Sequence, residues 1–172
     1  MGEFLFVVSP AALGIDVGSR IVGLCLMRGD GQVFNTWSIK VNGEPLQRLC
    51  TLYEKVRDLF ASIQALKGDY EKPHVFIERE MLYDRPNATK VSAMHGEVRG
   101  VLMALAWGRG WPVHKMAVGS WKTQLSKEER TMAKDAAYVE YWNGRAGTAA
   151  ESPDEIDAYF IARRAIIGGG TP

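Results

Sequence analysis

Four acidic side chains occupy positions from which they could act together. Asp16 closes an apolar run in "GIDVGSR" and lies between Gly14 and Gly18. Glu78 closes a second apolar run in "HVFIER". Asp154 and Asp157 are three residues apart at the head of "SPDEIDAYFIARRAII", so they share one face of a helix. If the two runs are neighbouring strands, Asp16 and Glu78 stand side by side at one sheet edge, and the helix completes the cluster by docking its first turn there. Four carboxylates held together repel, and a pair of hard divalent cations resolves the repulsion, because Mg²⁺ prefers carboxylate oxygens. Two such ions roughly 3.5–4 Å apart clamp the attacking and leaving oxygens of a displacement at phosphorus. One such ion would activate water and the other would stabilise the leaving 3′ oxygen.

Each acid alone also fits a plainer role. An aspartate before glycine suits a turn, and "GIDVGS" also reads like the first phosphate loop of an actin-like ATPase. That fold needs two such domains and a second phosphate motif, against which 172 residues argue. A strand-end glutamate suits solvent, and acids in a first helical turn suit the helix dipole. Glu80 shares a strand face with Glu78 and reads as a solvated acid or an outer ligand. Asp157 fits a plain role least, since "AYFIA" follows it. The joint pattern is more specific than any member.

The elements that must position these acids follow from periodicity. "AALGID" and "IVGLCLMR" read as strands reversing at Gly18-Ser19, and "QVFNTWSI" as a third, entered through the turn Gly29–Gly31. "PLQRLCTLYEKVRDLFASIQAL" carries Leu46, Leu49, Leu52, Val56, Leu59, Phe60 and Ile63 at helical spacing, with Pro45 at its start and Gly68 at its stop. "HVFIER" is a fourth strand. A helix capped by Asn87 or Thr89 runs to about Trp107, and "WPVHKM" is a fifth strand. "KEERTMAKDAAYVEYW" reads as one helix ending at the turn "NGRAG", and the final helix is capped by Ser152 with Pro153 at its first position. The expected fold class is α/β: a mixed five-stranded sheet, antiparallel in its first three strands with parallel additions, flanked by helices. Such sheets gather their sites at strand ends.

The 172 residues suit a single domain, 1–172, with a core over about 12–167. Residues 1–11 are expected to be partly irregular or tag-derived. A net charge of +1 does not point to nucleic acid as a strongly basic domain would, so DNA contact requires a local basic face. Cys25 and Cys50 lack metal spacing and lie in apolar segments, which predicts buried or half-buried thiols in a reducing cytosol. No apolar run nears the ~20 residues that span a bilayer, and the start does not read as a signal peptide. A cytoplasmic protein with no membrane association is expected, in a bacterium or a phage-infected host.

"LGIDVGSRIVGLCLM", "VFIEREM", "HGEVRGVLMALA" and "DEIDAYFIARRA" resemble, in order, the successive motifs of RuvC-type Holliday-junction resolvases in the RNase H-like superfamily. The resemblance covers residues 12–167 and implies a homodimeric, Mg²⁺-dependent endonuclease that cuts branched DNA, four-way junctions above all, by paired symmetric nicks. It implies two Mg²⁺ ions per site, with Mn²⁺ as a substitute and no small-molecule cofactor. The family's catalytic acids fall on Asp16, Glu78, Asp154 and Asp157, and its basic residues on Lys122 and Lys134, where positive charge would stabilise the transition state. The helix with Gly96, Arg99 and Gly100 is the expected dimer element, since small residues let two copies approach closely. His95 on that helix reads as a packing or surface residue.

The chain departs from the bacterial pattern at Val17, where proline is common, and at Met81, where an aromatic wedge is usual, with Tyr83 nearby. This divergence and the short end suggest a phage-encoded member. Arg79, Tyr83, Arg85 and Lys90 follow the fourth strand, and Lys115, Lys122, Lys127, Arg130 and Lys134 run through the next segment. Together they form the expected DNA-tracking surface. Trp111, Trp121 and Trp142 read as core residues rather than base-stacking ones. The competing functions are a YqgF-type RNase H-like nuclease acting on RNA and a non-catalytic branched-DNA binder.

Overall fold

A computed structural model describes residues 10–18, 20–68, 70–79 and 88–168, without the side chains of 88–91. Five strands form one sheet: β1 (Ala12–Val17), β2 (Ile21–Met27), β3 (Val33–Lys40), β4 (His74–Glu78) and β5 (Val113–Met116). Their spatial order is β3-β2-β1-β4-β5. β1–β2 and β2–β3 are antiparallel, whereas β4 joins β1 and β5 joins β4 in parallel. The expected mixed sheet is therefore present, with β1 at its centre.

Alternation along the central strands divides the molecule into two faces. Leu13, Ile15, Val22, Leu24, Val75 and Ile77 enter one core, which also holds Leu52, Val56, Phe60 and Ile63 of α1 (Pro45–Gln64) and Val98 and Leu102 of α2 (Ala88–Trp107). Each fully buried aliphatic side chain contributes roughly 1.5–3 kcal/mol. Ala12, Cys25, Met27 and Phe76 enter the other core with α6 (Pro153–Ile167) and Tyr138 and Trp142 of α5 (Ala136–Ala146). Two glycines shape this second face. A Cβ on Gly14 would lie 2.2 Å from the carbonyl oxygen of Ala158, and one on Gly23 would lie 2.1 Å from that of Asp154. The helix backbone therefore rests directly on β1 and β2.

Several expectations change at the boundaries. Pro45 does start α1, but Leu46 beside it is 74% exposed and outside the core. The helix ends at Gln64, with Gly68 (φ 84°) in the loop beyond. The span expected as one helix over 127–142 is two: α4 (Lys127–Thr131) and α5. Met132 is extended at ψ 138°, and the Asp135 carboxylate accepts from the amides of Ala137 and Tyr138, starting a new helix. α5 then continues through "NGRA" and stops at Gly147 (φ 65°), a left-handed cap that glycine adopts without strain. A short helix, α3 (Val118–Lys122), has no counterpart among the expected elements. Cys25 is buried as expected, but Cys50 is exposed on the outer face of α1. Among the described residues, no helix is long and apolar enough to cross a membrane.

Candidate active site

The sheet register brings the first two acids together. Ile15 is paired with Ile77 across the parallel β1–β4 ladder, so the next residues, Asp16 and Glu78, are neighbours pointing to the α6 face. Asp16 is also paired with Gly23 on β2. Gly23 is where the first turn of α6 rests, so Asp154 arrives above the same strand ends. The cap at Ser152, whose hydroxyl accepts from the Glu155 amide, and Pro153 at the first position fix where that turn begins. Asp157, one turn on, is buried.

The four acids form one electrostatic unit. Burial raises the pKa of Asp16 well above its ordinary 3.8, and Asp157, Glu78 and Asp154 raise it further, while Lys134 opposes them. Burial likewise raises Glu78 above 4.5, against the Trp121 hydrogen bond and the charge of Lys122. Asp154 is raised by burial, with Asp157 adding to the shift and Lys134 opposing it. The donor set is therefore oxygen-only and carries more negative charge than its lysines offset, which is the chemistry a hard divalent cation fits. Lys134 is ion-paired to Asp157 Oδ2. Among the described residues, no three acids, histidines or cysteines lie close enough as they stand to hold one ion together.

Both expected catalytic lysines reach this unit. Lys122 is half-buried, with Nζ 5.2 Å from the centre of the Trp121 ring. Lys134 lies in the joint between α4 and α5, its side chain 49% exposed. Lys134→Met should lower the melting temperature of metal-free protein at pH 7, where the acids are left repelling one another. The deficit should shrink toward pH 5 as carboxylates protonate. Thermal denaturation in EDTA at the two pH values tests this, and an equal deficit at both would refute it.

The other expected residues fall at varied places. Arg79, Lys115, Lys127 and Arg130 are exposed. Arg130 also donates from Nε to the Leu125 carbonyl at 3.0 Å, tying the α3–α4 loop to α4. Glu80, Met81, Tyr83, Arg85 and Asn87 lie outside the described residues, as does the side chain of Lys90. On α2, Gly100 faces outward with nothing within 4 Å of a Cβ placed there. Arg99, expected in the dimer element, is 7% exposed within the chain and donates from Nε to the Glu78 carbonyl at 2.9 Å.

Three contacts were not read from the sequence. Trp121 Nε1 donates to Glu78 Oε1 at 3.0 Å. The buried Tyr138 hydroxyl donates to Asp157 Oδ1 at 3.4 Å, and its pKa is raised by burial and by Asp157. Arg99 holds the backbone of Glu78. Trp111, Trp121 and Trp142 are all buried, as expected of core residues.

No family model matches the chain. A crossover junction endodeoxyribonuclease RuvC from Pelodictyon phaeoclathratiforme is 26% identical over 160 residues, covering 92% of this chain and 81% of that protein. The same-named protein of Moorella thermoacetica is 29% identical over 106 residues, covering 59% of this chain and 58% of that one. Among solved structures, T. thermophilus RuvC in complex with Holliday junction substrate superposes with a TM-score of 0.71 at 17% identity, over 94% of this chain and 96% of that one. A yeast mitochondrial Holliday junction resolvase gives 0.53 at 17% identity, over 91% and 78% of the two chains. The chain is thus similar in sequence to proteins named RuvC and shares the fold of the solved RuvC structure.

Proposed function

We propose that the chain is a structure-selective endodeoxyribonuclease that resolves four-way DNA junctions by paired symmetric nicks, acting as a homodimer with divalent metal, Mg²⁺ in the cell. The observation that carries this is the convergence of Asp16, Glu78, Asp154 and Asp157 at one sheet edge, in a chain similar to proteins named for junction cleavage. Asp16, Glu78, Asp154 and Asp157 would hold the metal. Two bound ions would supply Lewis-acid stabilisation of the phosphate and a lowered pKa for the attacking water.

The chain's own residues do the rest. Burial of Asp16 and Asp157 strengthens every charge interaction at the strand ends. Lys122 and Lys134 bring positive charge to the acids, where a scissile phosphate would sit, and oppose the charge that grows there. Exposed Arg79, Lys115, Lys127 and Arg130 offer the phosphate-tracking charge that a net of +1 conceals. A second copy related by two-fold symmetry would present two sites to two symmetric strands.

Purified protein with Mg²⁺ should nick a synthetic four-way junction at symmetric positions and leave linear duplex mostly intact. Y-forks, flaps and an RNA duplex in the same assay rank the substrates. Preferential cutting of the RNA would overturn the DNA reading, and junction binding without cleavage would leave a branched-DNA binder. Light scattering at micromolar concentration should give a dimer. A monomer would remove the basis for paired nicks.

A further inference from the structure

Glu78 is gripped at two points by residues outside the acid cluster. Its backbone carbonyl accepts from Arg99 Nε at 2.9 Å, and its carboxylate accepts from Trp121 Nε1 at 3.0 Å. Trp121 is itself rigidly held. It is 1% exposed, and its ring lies nearly parallel to that of Phe160 on α6, at 12° with centroids 6.4 Å apart. The Gln124 side-chain amide donates both to the Trp121 carbonyl (3.1 Å) and to the Phe160 carbonyl (2.8 Å). α3 is thus braced against α6, the helix that carries Asp154 and Asp157. The indole is the piece that joins that brace to Glu78.

We propose that Trp121 is a positioning residue that fixes the Glu78 carboxylate relative to Asp154 and Asp157, and so sets the affinity of the acid cluster for its divalent ion. The inference rests on reading Glu78 as a metal-holding acid. An indole has one donor and no acceptor, so it occupies Oε1 alone and leaves Oε2 for a ligand. Oxygen ligands of Mg²⁺ must meet near-ideal octahedral geometry, so a carboxylate free to rotate binds more weakly than one locked in place. Outer partners of this kind typically alter metal affinity by about 10- to 100-fold. Lys122, the next residue, lies over the same ring, so one short helix delivers both the orienting donor and a positive charge to Glu78.

Trp121→Phe keeps the ring against Phe160 and removes the N–H. Calorimetry with Mg²⁺ should show binding weakened by about 10- to 100-fold. Junction cleavage should fall at low Mg²⁺ and recover at high Mg²⁺, with junction binding in EDTA unchanged. A second measurement reads the wild-type protein itself: in ¹⁵N-labelled protein, the Trp121 indole signal, assigned by its loss in Trp121→Phe, should move as Mg²⁺ is added. Wild-type Mg²⁺ affinity in Trp121→Phe overturns the proposal, as does an indole signal that stays fixed at saturating Mg²⁺. A wild-type protein that binds Mg²⁺ but cuts no junction would sink the proposed nuclease function, while the affinity comparison would still decide the role of Trp121.

Discussion

Asp16→Asn should reduce junction cleavage by at least about 100-fold while leaving junction binding intact. The amide matches the carboxylate in size, so β1 keeps its register with β2 and β4, but an oxygen proposed to hold the metal loses its charge. The same substitution should make metal-free protein more stable. Asp16 has its pKa raised in the fold, chiefly by burial and then by Asp157, Glu78 and Asp154. A carboxyl whose folded pKa exceeds its unfolded value stabilises the fold fully below the unfolded value, here about 3.8, and loses that contribution as pH rises through the folded value. At pH 7 in EDTA the ionised wild-type cluster is therefore under repulsion that the asparagine variant lacks. Its melting temperature should exceed wild type there, and the difference should narrow toward pH 4. Mg²⁺ should raise the wild-type melting temperature more than that of the variant. A variant that cuts at the wild-type rate would show that Asp16 holds no essential ion, and one that melts below wild type in EDTA at pH 7 would show that the cluster is not repulsive.

Gly23→Val should be nearly as damaging for a different reason. The added side chain would begin 2.1 Å from the Asp154 carbonyl oxygen and 2.8 Å from the Glu155 amide nitrogen, both backbone atoms that cannot rotate away. Either α6 lifts at its first turn or β2 bends. Overpacking of this kind costs about 1–3 kcal/mol, sometimes more. Because the turn that moves carries Asp154, cleavage should fall well beyond what the lost stability explains. Gly144→Ala is the control: a Cβ there meets nothing within 4 Å, and alanine favours the helix. Denaturant titration and cleavage assays on both variants separate the cases. A Gly23→Val protein of wild-type activity would mean that α6 need not touch the sheet.

The parts of the site that sequence reveals are those written in local pattern. An apolar run ending in an acid is a strand with a carboxylate at its tip, and Asp16 and Glu78 both follow that rule. Ser152-Pro153 announces a helix start, and the Asp154/Asp157 spacing follows from it. Contacts between distant segments carry no such mark. Trp121 reads as an apolar residue because its packing dominates its pattern, so its single donor gave no sign of reaching Glu78. Arg99 sits beside glycine in a stretch suited to an interface, yet its guanidinium turns inward. The roles of Gly14 and Gly23 are equally invisible, since the atoms they make room for lie more than a hundred positions further along. The joint at Met132–Asp135 is a nearer miss. Asp135 is a good N-cap residue, but an apolar rhythm that continues on both sides conceals the break, and Lys134 owes its place to that break.

The contact of α6 with β1 and β2 also dictates when the chain can become active. The hairpin is made well before α6, so Asp16 meets Asp154 and Asp157 only once the more than one hundred residues between them have been made. Until then the hairpin exposes Ala12, Cys25 and Met27 on the face that α6 later covers. Closure across so long a stretch is slow, and such an uncovered sheet surface is prone to self-association. A chain made only through β4 thus carries Asp16, Glu78 and an adhesive face, but not the complete acid cluster. Docking of α6 covers that face and completes the acid cluster in one folding step.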